Sequence, residues 1–161
     1  MFKGQYFHHG YVTRDLSRGI EVLSKLYGVT FEHLKGTDNA SPESGVPNVR
    51  VKIALGWHGN LEYELIEPVS GDVAFYREVF AEDHTPRLHH MGVLVSDWNR
   101  LEADIAARGL PVVLSGDLGE IKFAYVDTRA ELGHYMEYMW MSDGMWASRS
   151  RNAKGLGIAP S

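Results

Sequence analysis

The chain of 161 residues contains one short pattern twice. The first copy runs from His8 to Leu16 and the second from His90 to Trp98. Both copies read His-x-Gly, four further residues, Asp and an apolar residue. An internal repeat constrains the architecture more than any local pattern, because both copies are expected to fold into the same unit. The sequence therefore predicts a molecule built from two equivalent halves.

The sequence of each half predicts a strand, a helix and three further strands. In both copies the Asp is a suitable N-cap, and a later glycine is a suitable helix end. The helices are expected over Leu16–Tyr27, followed by Gly28, and over Trp98–Arg108, followed by Gly109. Runs typical of strands follow at 29–33, 49–55 and 61–66 in the first half and at 111–114, 121–126 and 134–139 in the second.

The predicted fold class is α+β, with two tandem βαβββ modules that form one domain with a concave, mixed or antiparallel sheet. One module is too small to bury both faces of its sheet, so the two are expected to pair around a shared concavity. The expected limits are about 5–67 for module 1, 68–88 for a linker with a short amphipathic helix, about 89–140 for module 2, 1–140 for the single domain and 141–161 for a C-terminal tail.

Composition excludes several classes of function. The formal charge is −5, from 16 Lys and Arg against 21 Asp and Glu, so no partner among nucleic acids or anionic membranes is expected. The chain has no cysteine, which excludes disulfides and cysteine nucleophiles, restricts metal ligands largely to nitrogen and oxygen, and favours a cytoplasmic protein. A nucleophile elbow, a P-loop and a dinucleotide fingerprint are all absent from the sequence.

Two polar residues in each half interrupt strands that are otherwise apolar. They are the opening histidine and one glutamate of the last strand: His8 and Glu64 in the first half, His90 and Glu137 in the second. A single histidine is more often structural, but recurrence at the same position in both halves favours metal ligation. Glu62 shares a face with Glu64, so an exposed edge strand remains an alternative there. A set of two His and two Glu suits a divalent ion such as Zn, Ni, Co, Mn or Fe.

These motifs resemble those of the vicinal oxygen chelate superfamily, which includes glyoxalase I, methylmalonyl-CoA epimerase, extradiol dioxygenases and antibiotic-resistance proteins. The resemblance covers roughly residues 5–140 and rests on residues 8–10 with 15–16, 64–68, 90–92 with 97, and 133–137. The epimerase and glyoxalase-like branch is the most similar, because residues 64–68 read Glu, two apolar residues, any residue and Pro.

The resemblance implies roles for individual residues. It makes His8, Glu64, His90 and Glu137 the metal ligands and Glu137 also a catalytic acid/base. Glu43 is the nearest analogue of the second acid/base of epimerases, although its Gly, Pro and Ser neighbours are typical of a solvated turn. A homodimer is expected on the same grounds.

The function that follows is that of a metal-dependent lyase or isomerase, of glyoxalase or epimerase type, which moves a proton next to a metal-chelated carbonyl of a small substrate. Aromatic residues such as Trp57 and Tyr138 favour a bulky or aromatic substrate, or else a dimer interface. Two alternatives stay open: an Fe(II) extradiol-type ring-cleaving dioxygenase, and a metal-free binding or resistance protein that sequesters a hydrophobic compound. The sequence shows no basic cluster for the phosphates of coenzyme A.

Overall fold

The structure is a computed structural model that describes residues 4–34 and 48–153. Its strands form a single sheet, with helices between them and at the end of the described chain. In chain order the elements are β1 (Gln5–Val12), α1 (Leu16–Tyr27), β2 (Phe31–Leu34), β3 (Val49–His58), β4 (Leu61–Gly71), α2 (Ala74–Arg77), β5 (Arg87–Leu94), α3 (Trp98–Arg108), β6 (Val112–Asp117), β7 (Ile121–Val126), α4 (Arg129–Leu132), β8 (Tyr135–Met141) and α5 (Asp143–Arg149), followed by a 3-10 turn (Ser150–Asn152).

The eight strands lie in the order β2-β3-β4-β1-β5-β8-β7-β6. Strand β1 is parallel to β4, and β5 is parallel to β8, whereas the other pairs are antiparallel. The strands of the first half therefore lie on one side of the central β1–β5 pair and those of the second half on the other. This mixed sheet with helices confirms the predicted α+β fold class; the module and domain limits remain predictions.

The repeated Asp and Gly residues cap the two long helices. Asp15 and Asp97 each accept a hydrogen bond from a backbone N–H of the first turn, at 3.0 and 2.9 Å. Gly28 and Gly109 end the helices with φ of 67° and 60°, a left-handed conformation that favours glycine. The predicted limits of α1 and α3 are confirmed.

Both long helices cover the face of the sheet opposite to the glutamates of the predicted metal site. Leu65 of β4 belongs to the cluster that packs under α1, and Met136 and Tyr138 of β8 belong to the cluster under α3. Because side chains alternate along a strand, Glu64 and Glu137 extend from the other face. Packing of the helices thus leaves that other face for the site.

The chain after Ser142, which composition predicts to be a tail, contains helix α5. Met145 and Trp146 of this helix pack against a cluster that includes Phe7 and Met139. One side of helix α5 therefore lies against the sheet. No helix of the described chain is long and apolar enough to cross a membrane.

Candidate metal centre

Strand register brings the predicted ligands together in two rows across the centre of the sheet. In one row Gly10 of β1 is paired with Glu64 on one side and with His90 on the other. In the next row Gly92 of β5 is paired with His8 on one side and with Glu137 on the other. Each row thus has a glycine between a histidine of one strand and a glutamate of another.

The glycine of each repeated motif makes room for the histidine of the other half. A Cβ atom at Gly10 would lie 1.9 Å from Cε1 of His90, and one at Gly92 would lie 2.3 Å from Cε1 of His8. Real Cβ contacts under 3.0 Å essentially do not occur, so any larger residue would displace the imidazole ring. The glycine of each His-x-Gly pattern therefore allows the two halves to pack closely, while its histidine is the predicted metal ligand.

The four predicted ligands form one buried cluster. His8 is 1%, His90 0%, Glu64 6% and Glu137 4% exposed. One nitrogen or oxygen atom of each lies within 4.8 Å of the corresponding atom of every other member. Such a set of two imidazoles and two carboxylates is costly to bury without a partner of opposite charge.

The distances within the cluster fit donors that share one ion. Nε2 of His8 lies 3.1 Å from Nε2 of His90 and 2.9 Å from Oε2 of Glu137, while Nε2 of His90 lies 3.1 Å from Oε2 of Glu64. Donors about 2.1 Å from a common ion are separated by about 3.0–3.4 Å when they occupy adjacent positions. Oε2 of Glu137 is buried and makes no hydrogen bond within the described chain, so its orientation suits an ion better than a neighbouring N–H.

A hydrogen-bonded chain sets the tautomer of His90. The backbone carbonyl of Phe75 only accepts, so Nε2 of His89, 3.2 Å away, is the donor in that contact. Nδ1 of the neutral His89 ring then accepts from Nδ1 of His90, at 3.0 Å. When His90 is neutral, as a metal ligand must be, the lone pair of its Nε2 is then directed at the cluster. His89 thus supports His90 through this hydrogen bond.

In the absence of an ion, the histidines and glutamates of the cluster favour each other's charged forms. Burial disfavours the charged form of His90, but the nearby carboxylates of Glu137 and Glu64 outweigh this effect and raise the pKa of His90 to about 9. Burial likewise opposes ionisation of both glutamates, yet the nearby histidines lower the pKa of each. The carboxylates are therefore charged at neutral pH and able to compete for a cation.

Two tyrosines lie beside the carboxylates. Tyr125 of β7 is paired with Glu137 of β8, its ring centroid lies 5.0 Å from that of His90, and it is hydrogen-bonded to Tyr76. Burial, followed by the negative charge of Glu137, raises the pKa of both tyrosines far above the usual value. Both hydroxyls stay protonated at neutral pH, and that of Tyr125 donates to Tyr76.

Sequence reasoning missed the ion pair of Glu62 and Arg149. Glu62 is fully buried, and Arg149 of α5, which lies in the predicted C-terminal tail, donates to it through Nε and Nη2. Burial raises the pKa of Glu62, and the guanidinium group opposes that rise. The spacing of Glu62 and Glu64 already placed them on one face, but nothing in the Ser, Arg and Gly-rich terminus indicated a buried arginine.

Glu43, the other predicted catalytic residue, lies outside the described residues.

The chain matches one known protein family over most of its length. Residues 7–125 match the family model described as the Glyoxalase/Bleomycin resistance protein/Dioxygenase superfamily. No curated protein matches the chain significantly by sequence.

Solved structures share the fold at low sequence identity. A methylmalonyl-CoA epimerase variant from Streptomyces coelicolor, in complex with 2-nitronate-propionyl-CoA, has a TM-score of 0.59 at 20% identity over 87% of this chain and 96% of that one. The methylmalonyl-CoA epimerase from Mycobacterium tuberculosis has a TM-score of 0.59 at 15% identity, over 89% and 91%. A hypothetical protein, BH1468, from Bacillus halodurans C-125 reaches 0.61 at 16% identity, over 88% and 96%.

Proposed function

Because the chain belongs to the glyoxalase/bleomycin resistance protein/dioxygenase superfamily, we propose that it is a metal-dependent isomerase or lyase that moves a proton at a carbon next to a carbonyl group. The observation that carries the proposal is the convergence of two histidines and two glutamates, all buried, within 4.8 Å at the centre of the sheet. The likeness of the fold to methylmalonyl-CoA epimerases is consistent with this reaction class.

The proposed ligands are His8, Glu64, His90 and Glu137. Their nitrogen and oxygen donors suit a divalent first-row ion, among which Zn, Ni, Co, Mn and Fe are the candidates. When bound, such an ion supplies a Lewis acid, which makes the proton next to a coordinated carbonyl easier to remove. The glycines below the histidines and the hydrogen-bonded His89 hold the donors in place for it.

Glu137 is the proposed base. Its carboxylate is charged at neutral pH, and a carboxylate has two oxygens, of which one can act as a ligand while the other accepts a proton. Tyr125, on the neighbouring strand, stays protonated and so adds no further negative charge beside the reacting carboxylate. Glu43 remains the predicted second acid/base.

The substrate is proposed to be a small carbonyl compound in which two oxygens lie close together. The aromatic side chains beside the centre, Phe75, Tyr125 and Tyr135, favour one with an apolar or aromatic group. Acyl-CoA thioesters are included in the test because two of the similar structures are epimerases named for such a substrate.

Proton exchange with solvent tests the proposal even while the product is unidentified. We expect the protein loaded with cobalt, nickel or zinc to exchange the proton next to the carbonyl of at least one 2-oxoacyl, aromatic dicarbonyl or acyl-CoA compound in D2O, as followed by proton NMR. Removal of the ion with a chelator is expected to stop exchange. Glu137→Gln is expected to slow it at least a hundredfold while metal content, measured by elemental analysis, is retained; undiminished exchange in that variant would reject Glu137 as the base.

A different metal content would change the assignment. Iron in protein purified without added metal, together with oxygen uptake that depends on a catechol, would replace the isomerase or lyase with a ring-cleaving dioxygenase. Failure of the protein to bind any of the candidate ions at micromolar concentration would favour a binding protein instead. The homodimer also remains a prediction, which sedimentation of the purified protein tests.

A further inference from the structure

A buried ion pair connects the last helix to the edge of the metal centre. The guanidinium of Arg149 lies 2.8 Å through Nη2 and 3.0 Å through Nε from Oε2 of Glu62. The side chain of Glu62 is 0% and that of Arg149 11% exposed. Burying such a pair often brings no net stability compared with apolar residues, because both charges lose their hydration. Its location next to the cluster therefore points to a role other than stability.

The pair faces the side of His8 that is turned away from the cluster. Glu62 is paired with His8 in the register of β4 and β1, and its Oε2 lies 3.9 Å from Nδ1 of His8. That Nδ1 is buried and has no hydrogen-bond partner within the described chain. A carboxylate at this position favours the tautomer with the proton on Nδ1, which leaves the lone pair of Nε2 for the cluster.

The second half of the molecule shows the same arrangement with a different acceptor. Nδ1 of His90 has the Nδ1 atom of His89 as its acceptor, and His89 is itself held by a backbone carbonyl. In the first half the carboxylate of Glu62 faces Nδ1 of His8 at 3.9 Å, and Arg149 binds this carboxylate from the other side. Each proposed histidine ligand thus has a group able to accept a hydrogen bond behind its Nδ1, at hydrogen-bond distance for His90 and slightly farther away for His8, and a third group anchors it.

We infer that Glu62 and Arg149 form a positioning pair for His8, by which helix α5 orients one ligand of the metal centre and balances the charge around it. The inference rests on the proposed function, because it assumes that His8 binds an ion. It adds two residues, one of them from the C-terminal helix, to the groups that determine the affinity of the centre for its metal.

Charge counting supports a joint role. Glu62, Glu64 and Glu137 carry three negative charges, and Arg149 carries one positive charge within 3.8 Å of Oε1 of Glu64. With neutral histidines, a divalent ion brings the buried group to zero net charge. Loss of Arg149 alone would leave one negative charge without a partner in a buried site, which is strongly unfavourable.

Cobalt(II) affinity, measured by competition with a chromophoric chelator, tests the pair without the need for a substrate. The double variant Glu62→Leu/Arg149→Met removes both charges together, so no buried charge is left unpaired. We expect its Kd for cobalt(II) to rise 10- to 100-fold, the usual effect of losing a group that orients a ligand. Arg149→Lys keeps the charge but not the bidentate fork, and a smaller rise of at least threefold is expected. Arg151→Met, which removes an exposed arginine of the same segment, is the control and should leave Kd unchanged.

The Nδ1 proton of His8 in the zinc-loaded protein is a second readout, which a merely structural role would not change. In nitrogen-15 and proton spectra we expect the carboxylate of Glu62 to protect this proton from exchange with water, and exchange to be at least tenfold faster in the double variant. Cobalt(II) affinity within twofold of the native value in a folded double variant, with unchanged exchange of the His8 proton, would overturn the positioning pair. If the double variant does not fold, Arg149→Lys decides in the same way. Native protein that binds no cobalt(II) would instead overturn the proposed function, and the inference with it.

Discussion

At the scale of single residues, two glycines determine how closely the histidines of the two halves approach each other. A Cβ atom at Gly92 would lie 2.3 Å from the ring of His8, so Gly92→Ala is expected to displace that ring. We expect the Kd for cobalt(II) to rise at least tenfold, and the free energy of unfolding to fall by about 1–3 kcal/mol, as in other overpacked sites. Chelator competition and urea titration measure the two effects.

The matched control for this glycine is Gly144→Ala in α5. A Cβ atom there meets nothing within 4 Å, so metal affinity should be native and stability equal or slightly higher. Native cobalt(II) affinity in Gly92→Ala would show that His8 does not need its place above Gly92 to bind the ion.

The buried side chain of His89 is expected to make the stability of the protein depend on pH. Burial, followed by the charge of His90, lowers its pKa from 6.5 to about 3. Below pH 6.5 the unfolded chain therefore binds a proton on His89 that the folded chain does not bind, so stability falls as the pH falls toward 3. Urea titration of the metal-free protein at pH 6 and pH 5 is expected to show a loss of about 1 kcal/mol that is absent in His89→Gln.

His58→Gln, at the exposed end of β3, serves as the control for a lost histidine and should keep the native pH dependence. Equal slopes in native protein and His89→Gln would mean that His89 is protonated in the folded protein. The hydrogen bond between His89 and His90 would then have the opposite direction, with His89 donating from both nitrogens.

At the scale of elements, local sequence predicts helices better than strand ends. The limits of α1 and α3 follow from an Asp cap and a Gly end, which are local features with their own hydrogen bonds. Strands β3 and β4 continue beyond their apolar runs to His58 and Gly71, because pairing with a neighbour, rather than composition, sets their length. Local sequence does not predict helix α5, since part of the surface that it packs against, such as Phe7 and Trp57, comes from distant parts of the chain.

The sequence predicts those residues of the candidate site that recur in the repeat, but not the residues whose roles depend on tertiary packing. Recurrence of the histidines and the apolar setting of Glu137 point to four residues that the structure brings together. The packing function of the motif glycines is not predictable, because it depends on the antiparallel pairing of β1 with β5. The part played by Arg149 depends on where α5 packs, and that is decided by tertiary contacts.

At the scale of the whole molecule, the proposed ion would link both halves of the sheet. Its ligands come from four neighbouring strands, two in each half, and the unfolded chain does not hold them together. An ion that binds only the folded chain stabilises it by about 2.7 kcal/mol at a free concentration one hundred times Kd. Cobalt(II) at that concentration is therefore expected to raise the free energy of unfolding by about this amount in urea titrations.

Hydrogen exchange distinguishes a link between the halves from a local effect. Because the ion would hold β4, β1, β5 and β8 at once, amide protection is expected to rise in both parallel pairs together. Glu64→Ala should lose most of this gain in both halves, although it changes a residue of only one, whereas Glu102→Ala on the exposed side of α3 should keep it. Protection that rises in one half alone would mean that the ion binds residues of that half, and that the four-residue centre is not the site.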